Sequence, residues 1–250
     1  MNVVVNPNYE YLRDWIEQIP SFFESSGNII YKGRNILKVF AVDTDTSINV
    51  KRYRKPHFVN RIVYSFFRKS KACRAYHNTL LIAQKGFDTA ESIAYIEIKR
   101  HMLLSDSYFI SKQCPDVKEI RVCYDGPLTG NERLIEAFAR YSASLHEAGI
   151  YHLDYSPGNI LFREENGQYT FILIDVNRMK FMPVNFDTGC RNFARLFTDD
   201  DIYKHIAMVY SQSRENSFSQ EGTVRLMLKY KNDFLQWKAR KNRLKKLFWH

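Results

Sequence analysis

A chain of 250 residues, 45% apolar and 15% aromatic, carries enough hydrophobic material for one large domain or a small lobe beside a larger one, which excludes global disorder. Its formal net charge of +10 predicts attraction to polyanions: nucleotide, nucleic acid or an anionic membrane face. Residues 1–7 lack a secretory signal, no apolar run is long enough to span a bilayer, and Cys73, Cys114, Cys123 and Cys190 show no paired spacing for zinc or redox work. A cytoplasmic protein with reduced thiols is expected.

In chain order, residues 9–24 read as a helix or an ordered N-terminal extension, with Ile16, Ile19 and Phe22 apolar. Three strand patterns follow: Ile29-Ile30-Tyr31, Ile36-Leu37-Lys38-Val39-Phe40 and Ile48-Asn49-Val50-Lys51-Arg52-Tyr53, separated by Gly33 and by residues 43–46. Residues 60–85 keep helical spacing and stop at Gly86. Strands at 92–98 and 108–112 complete a predicted five-stranded antiparallel sheet, giving an N-terminal lobe over 1–114 and a helical C-terminal lobe over 115–250. Within the latter, residues 133–149 form an amphipathic helix with Leu134, Phe138, Tyr141 and Leu145 as its buried stripe and Gly149 as its cap. From Asn192 onward the pattern is helical to the end.

The chemistry concentrates in Tyr151-His152-Leu153-Asp154-Tyr155-Ser156-Pro157-Gly158-Asn159-Ile160-Leu161-Phe162 and in Phe171-Ile172-Leu173-Ile174-Asp175. Between the two apolar runs lies a polar turn with Asn166-Gly167, a hairpin signal. Taken singly, Asp154 and Asn159 are turn formers around Pro157-Gly158, and Asp175 is a cap. Together, His-x-Asp, an Asn five residues beyond and a strand-terminal Asp after a hairpin resemble the catalytic loop and metal-binding strand end of the protein-kinase-like superfamily. The implied fold class is α+β, two-lobed, with a small antiparallel-sheet N-lobe and a mostly helical C-lobe. The implied activity is phosphotransfer from ATP with Mg2+, a reaction that depends on positioning and on neutralising phosphate charge.

Finer details point within the superfamily. Val176-Asn177-Arg178 follows Asp175 where protein kinases carry Phe-Gly, and no Ala-Pro-Glu segment follows. Leu173-Ile174-Asp175-Val176-Asn177-Arg178-Met179, with His152-Leu153-Asp154 and Pro157-Gly158-Asn159-Ile160-Leu161-Phe162, resembles the bacterial lipopolysaccharide kinase family. Ser70-Lys71-Ala72 with Arg74, Gly86-Phe87-Asp88-Thr89 and Ile93-Ala94-Tyr95-Ile96-Glu97 resemble its small-lobe helix and following strand. The resemblance implies a Kdo or heptose hydroxyl of the lipopolysaccharide inner core as acceptor. By position it implies Asp154 as base, Asn159 and Asp175 as metal ligands, and Lys51 on the nucleotide phosphates.

Two departures stand out. No acidic residue lies between Ser70 and Gly86, where the superfamily places the glutamate that pairs with the strand lysine; His77, Asn78, Asp88 and Glu91 are the alternatives. No Gly-x-Gly-x-x-Gly covers the phosphates, leaving Ser25-Ser26-Gly27-Asn28 as a hydroxyl-bearing substitute. Residues 51–71 hold many cations and no acid, interleaved with aromatics, and residues 237–250 repeat that composition. Such a tail suits an anionic inner-membrane surface presenting a lipid-linked glycan, or packs its aromatics on the larger lobe. No nucleic-acid motif is present, so no nucleic-acid partner is expected. The alternatives to a lipopolysaccharide kinase are a protein or small-molecule kinase and a catalytically impaired binding module.

Overall fold

The computed structural model describes residues 1–42, 46–215 and 218–248, the side chains of 245–248 excepted. The expected turn at Asp43 to Asp45 and the terminal Trp249 and His250 lie outside the described residues. Contacts divide the chain into two compact units: residues 1–115 with 175–178, and residues 116–174 with 179–250. The expected division at residue 114 did not foresee that Asp175 to Arg178 join the first unit.

Unit 1 is built on an antiparallel sheet. Its elements are β1 (Asn2–Val5), α1 (Arg13–Phe22), β2 (Asn28–Lys32), β3 (Ile36–Ala41), β4 (Ser47–Tyr53), α2 (Phe58–Ile62), α3 (Lys71–Gln84), β5 (Asp88–Thr89), β6 (Ser92–Arg100) and β7 (Leu103–Lys112). The strand order β1-β6-β7-β4-β3-β2 makes six strands, one more than expected. The extra one is Val3-Val4-Val5, which pairs antiparallel with β6. Four residues before a proline carried too short a pattern to be read as a strand, and the edge of β6 supplies the hydrogen bonds that make it one.

Strand alternation assigns each side chain to a face. On one face Ile48 and Val50 of β4 join Phe40, Ile96 and Ile110 in a core closed by Ile16 and Ile19 of α1. On the other, Tyr53, Tyr95 and Phe109 pack against Ala72, Ala75 and Tyr76 of α3. Lys51 and Tyr53 therefore face α3, while Arg52 faces α1, where its guanidinium lies 4.9 Å from the Phe23 ring centre and pairs with Glu24.

Lys38 is a buried cation in the α1 core, with only 4% exposure. Its ammonium donates to the carbonyls of Phe23, Glu24 (3.1 Å) and Ser26 (2.8 Å), which close the C-terminal end of α1. Those carbonyls have no further turn to bond, so the lysine acts as the cap. The amides of Ser25 and Ser26 both bond the Phe22 carbonyl and so finish α1, whereas the β2–β3 reversal lies at Gly33, whose amide bonds the Asn35 carbonyl.

Unit 2 contains β8 (Lys118–Glu119), α4 (Glu132–Glu147), β9 (Ile150–His152), β10 (Ile160–Glu165), β11 (Gln168–Leu173), β12 (Met179–Phe181), α5 (Phe186–Asn192), α6 (Asp200–Ser213) and α7 (Gln220–Phe248). The centre of its core is Phe138 on α4, whose ring meets those of Tyr155, Phe171, Phe193 and Phe197. Residues 193–199 are turns and bends, so the helical reading from Asn192 begins at α6. The Asn166-Gly167 turn forms as expected, both residues at positive φ (51° and 74°), which matches the twist of the β10–β11 ladder.

Replacing Lys38 with Met will strand the carbonyls at the end of α1. We expect a loss of about 2–4 kcal/mol in unfolding free energy, read from urea titration by circular dichroism.

Candidate active site

In unit 1, the face assignment of β4 brings Lys51 to Asp175: its ammonium lies 2.7 Å from Asp175 Oδ1. The strand lysine therefore finds its carboxylate in the strand-terminal Asp, and neither His77, Asn78, Asp88 nor Glu91 serves that purpose. The helix position expected to supply a glutamate has another task. Asn78 donates its carboxamide N–H to the Val176 carbonyl at 2.6 Å, holding the segment that carries Asp175. Asn177 closes the same segment by donating to Asp175 Oδ1 at 2.6 Å. Asp175 itself adopts φ +54°, a left-handed backbone that Asp and Asn tolerate best among residues other than glycine.

Further cations lie near Lys71, which itself interacts with this carboxylate. Lys51 and Lys71 lie over the same Tyr53 ring, at 5.5 and 5.9 Å. Burial lowers the Lys71 pKa, and Arg34, Arg74 and Lys51 lower it further while Asp175 opposes them. The Tyr53 hydroxyl is buried and has no hydrogen-bond partner among the described residues. Burial raises its pKa, and the neighbouring Asp175 adds to the shift. Lys71 thus sits among three other cations, Arg34, Arg74 and Lys51, with Asp175 as the carboxylate that opposes them, a local field suited to a polyanion such as a chain of phosphates.

Unit 2 carries Asp154 and Asn159. His152 is fully buried and organises both. Its Nδ1 accepts the Asp154 backbone N–H at 3.0 Å, so Nε2 carries the proton and donates it to the Ile174 carbonyl at 3.2 Å. Asn159 donates its side-chain N–H to the Asp154 carbonyl at 2.9 Å, and its own carbonyl accepts Ile174 N–H at 3.0 Å. The loop is thereby fixed to the last residue before Asp175. Arg195 donates to Asp154 Oδ1 at 2.6 Å.

A buried polar chain supports this loop from behind. Arg214 donates to the Tyr210 hydroxyl, which donates to His146 Nδ1 at 2.9 Å; His146 Nε2 donates to Asn192 Oδ1 at 3.1 Å, and Asn192 donates to the His152 carbonyl at 3.0 Å. Gly189 leaves the room for it, since a Cβ there would come within 2.0 Å of the Tyr210 oxygen. None of these residues was read from the sequence. His146 adjoins the apolar stripe of α4, and its burial at the i+8 position from Phe138 was the one available signal. Asn177 and Lys71 stood within the strings that carry the family resemblance but without a role of their own, and Arg195 carried no signal beyond its charge.

Magnesium requires hard oxygen donors, and Asp175 and Asn159 supply a carboxylate and a carboxamide. Because the Asn159 NH2 is spent on Asp154, its side-chain carbonyl oxygen is the atom suited to a cation. Among the described residues no cluster of three or more His, Cys, Asp or Glu forms a protein cage.

A sheet-based unit carrying a strand lysine on a carboxylate, and a helical unit carrying a His-x-Asp loop beside a hairpin, define the protein-kinase-like class. The solved structure of WaaP in complex with acyl carrier protein is similar in fold: TM-score 0.60 and 15% identity over 96% of this chain and 98% of that one. So is amicoumacin kinase hAmiN in complex with AMP-PNP, Ca2+ and Ami, with TM-score 0.56 and 11% identity over 88% and 83%. No curated protein matches by sequence. Residues 31–205 match the model of the Lipopolysaccharide kinase (Kdo/WaaP) family, well over half of the chain, and the protein belongs to that family. It is a kinase.

Burial lowers the His146 pKa from 6.5 to about 4. The folded chain keeps this imidazole neutral while the unfolded chain protonates it below 6.5, so acidification favours unfolding. We expect stability to fall as pH drops from 6.5 towards 4, by at most about 3 kcal/mol from this group. Urea titrations at pH 7 and 4.5 measure the slope, and His146→Gln should reduce it.

Proposed function

We propose that the protein transfers the γ-phosphoryl group of ATP to a Kdo or heptose hydroxyl of the lipopolysaccharide inner core, with Asp154 as the base. The observation that carries this reading is the fixed Asp154–His152–Ile174 link, which presents one carboxylate from the loop and the next from the residue after Ile174. The family supports the substrate class.

The Asp175 carboxylate and the Asn159 carboxamide oxygen are the donors that would suit magnesium, which would supply neutralisation of phosphate charge, and ATP would supply the transferred group. Lys51, with Lys71 and Arg74 nearby, binds the phosphate oxygens. The acceptor hydroxyl passes its proton to Asp154 as its oxygen bonds to phosphorus. The bond from that phosphorus to the β–γ bridging oxygen breaks, and the electron pair leaves with ADP.

A lipid-linked acceptor requires approach to a membrane. Among the described residues no helix is long and apolar enough to cross one. In unit 1, Phe58, Val59, Phe66 and Phe67 are each more than half exposed, with Arg54, Lys55, Arg68 and Lys69 beside them in the chain. In unit 2, α7 carries Lys238, Arg240, Lys241 and Arg243. Basic segments with exposed aromatic residues suit peripheral docking on the anionic inner-membrane surface, on the cytoplasmic side.

Asp154→Ala should lower kcat by about 10²–10⁴-fold while AMP-PNP with Mg2+ still stabilises the fold in a thermal shift assay. Full turnover in that variant would remove Asp154 from its role. For the membrane, Phe66→Ser with Phe67→Ser should release the protein from phosphatidylglycerol vesicles several-fold more readily in co-sedimentation, and unchanged binding would exclude this segment.

A further inference from the structure

The face of the unit 1 sheet that carries Lys51 holds a polar side chain that the proposed chemistry does not use. α3 lies over β6 and β7, and the β3–β4 half of the same face shows Leu37, Val39, Asn49 and Lys51, each partly buried. Cross-strand register sets them in pairs, Val39 beside Asn49 and Leu37 beside Lys51. Asn49 stands two residues before Lys51, so strand geometry places their side chains about 7 Å apart on one face.

Asn49 is held at one end only. Its carboxamide N–H donates to Gln113 Oε1, and Gln113 Nε2 donates in turn to the Cys114 carbonyl at a long 3.5 Å. The Gln113 backbone amide bonds the Ser47 carbonyl at 2.9 Å, which ties this residue to the start of β4. A main-chain carbonyl can only accept, so it fixes the direction of both carboxamides in the relay. The free end is therefore an acceptor: Asn49 Oδ1 is buried and has no hydrogen-bond partner among the described residues. Buried acceptors are normally paired, and one left open in a partly exposed side chain beside Lys51 suits a donor that a ligand brings.

We infer that Asn49, oriented by Gln113, reads the base of the donor nucleotide and selects adenine through its exocyclic amino group. The inference rests on ATP as the phosphoryl donor proposed above, and it names the group that chooses the base. One strand repeat suits the separation between a purine and the first phosphates of its nucleotide, with Lys51 on the phosphates. Val39 and Leu37 offer branched apolar side chains to the flat face of the ring, the usual lining of a ligand site with few polar groups. Adenine carries an amino group at the ring position where guanine carries a carbonyl oxygen. The amino group donates to Asn49 Oδ1; the guanine oxygen would meet a second acceptor, and both would stay unpaired. Turning the Asn49 carboxamide over to suit guanine would set its oxygen against Gln113 Oε1. Turning Gln113 as well would set that oxygen against the Cys114 carbonyl. Asn49 is thus the specificity determinant for the donor, and Gln113 is the positioning residue behind it.

The test uses the full chain and two probes, AMP-PNP and GMP-PNP with Mg2+, with dissociation constants from isothermal titration calorimetry. AMP-PNP should bind at least tenfold more tightly than GMP-PNP. Asn49→Leu, close in volume, should cut that ratio to threefold or less. The same variant should leave the melting temperature of the free protein unchanged or raised, because it removes an unpaired buried acceptor. Gln113→Leu frees the Asn49 carboxamide to turn over, so GMP-PNP should gain affinity while AMP-PNP changes little. Lys51→Ala should weaken both nucleotides alike and preserve the ratio. Equal binding of the two nucleotides, or a ratio unchanged in both Asn49→Leu and Gln113→Leu, would overturn the inference and leave the nucleotide donor standing. Binding of neither nucleotide would overturn the donor reading and this inference with it.

Discussion

The structure of the His-x-Asp loop depends on one buried imidazole. His152 accepts a hydrogen bond from the amide of Asp154 and gives one to the carbonyl of Ile174. One neutral ring thereby fixes the direction of a loop and the end of a strand, and each of the two acidic residues follows closely after a backbone group it holds. The ring is itself anchored at its own carbonyl by Asn192, and through Asn192 by His146, Tyr210 and Arg214. Such a chain has value only when every member is satisfied, because each polar atom left alone in a buried place is costly.

The lysine and carboxylate of unit 1 solve a different problem. Without a glutamate on α3, Lys51 needs an anion, and Asp175 supplies it. The helix contributes through Asn78, which holds the backbone beside Asp175 and leaves the charge balance untouched. An uncharged side chain at that helix position leaves the local balance in favour of cations, with Arg34, Arg74 and Lys51 acting on Lys71 against the one carboxylate of Asp175. A phosphate chain would redress that imbalance.

Much of this was legible in the sequence because it lies in short, self-contained patterns. The hairpin turn was announced by Asn166-Gly167, the strand that carries Lys51 by its apolar pattern, and the family by the strings around Asp154 and Asp175. What escaped depends on contacts between residues distant in sequence. Asn78 and Val176 are 98 positions apart and Arg195 lies 41 beyond Asp154, and no local pattern encodes either pairing. The first strand escaped because its four residues become a strand only beside β6. The two serines after α1 suggested hydroxyl chemistry, whereas the backbone carbonyl of Ser26 is the group in use, on Lys38.

The adjacency of Lys51 and Arg52 has a consequence for how β4 tolerates change. The two cations point to opposite faces, Arg52 to Phe23 and Glu24, Lys51 to Asp175. Sliding the strand by a single position would send the guanidinium towards Asp175 and drive the ammonium into the α1 core. The Arg52 contacts make that slip expensive, so an arginine remote from the chemistry acts as the registration pin for the lysine. Length changes in the loops at either end of β4 should therefore be absorbed outside the strand, with the strand itself staying in place.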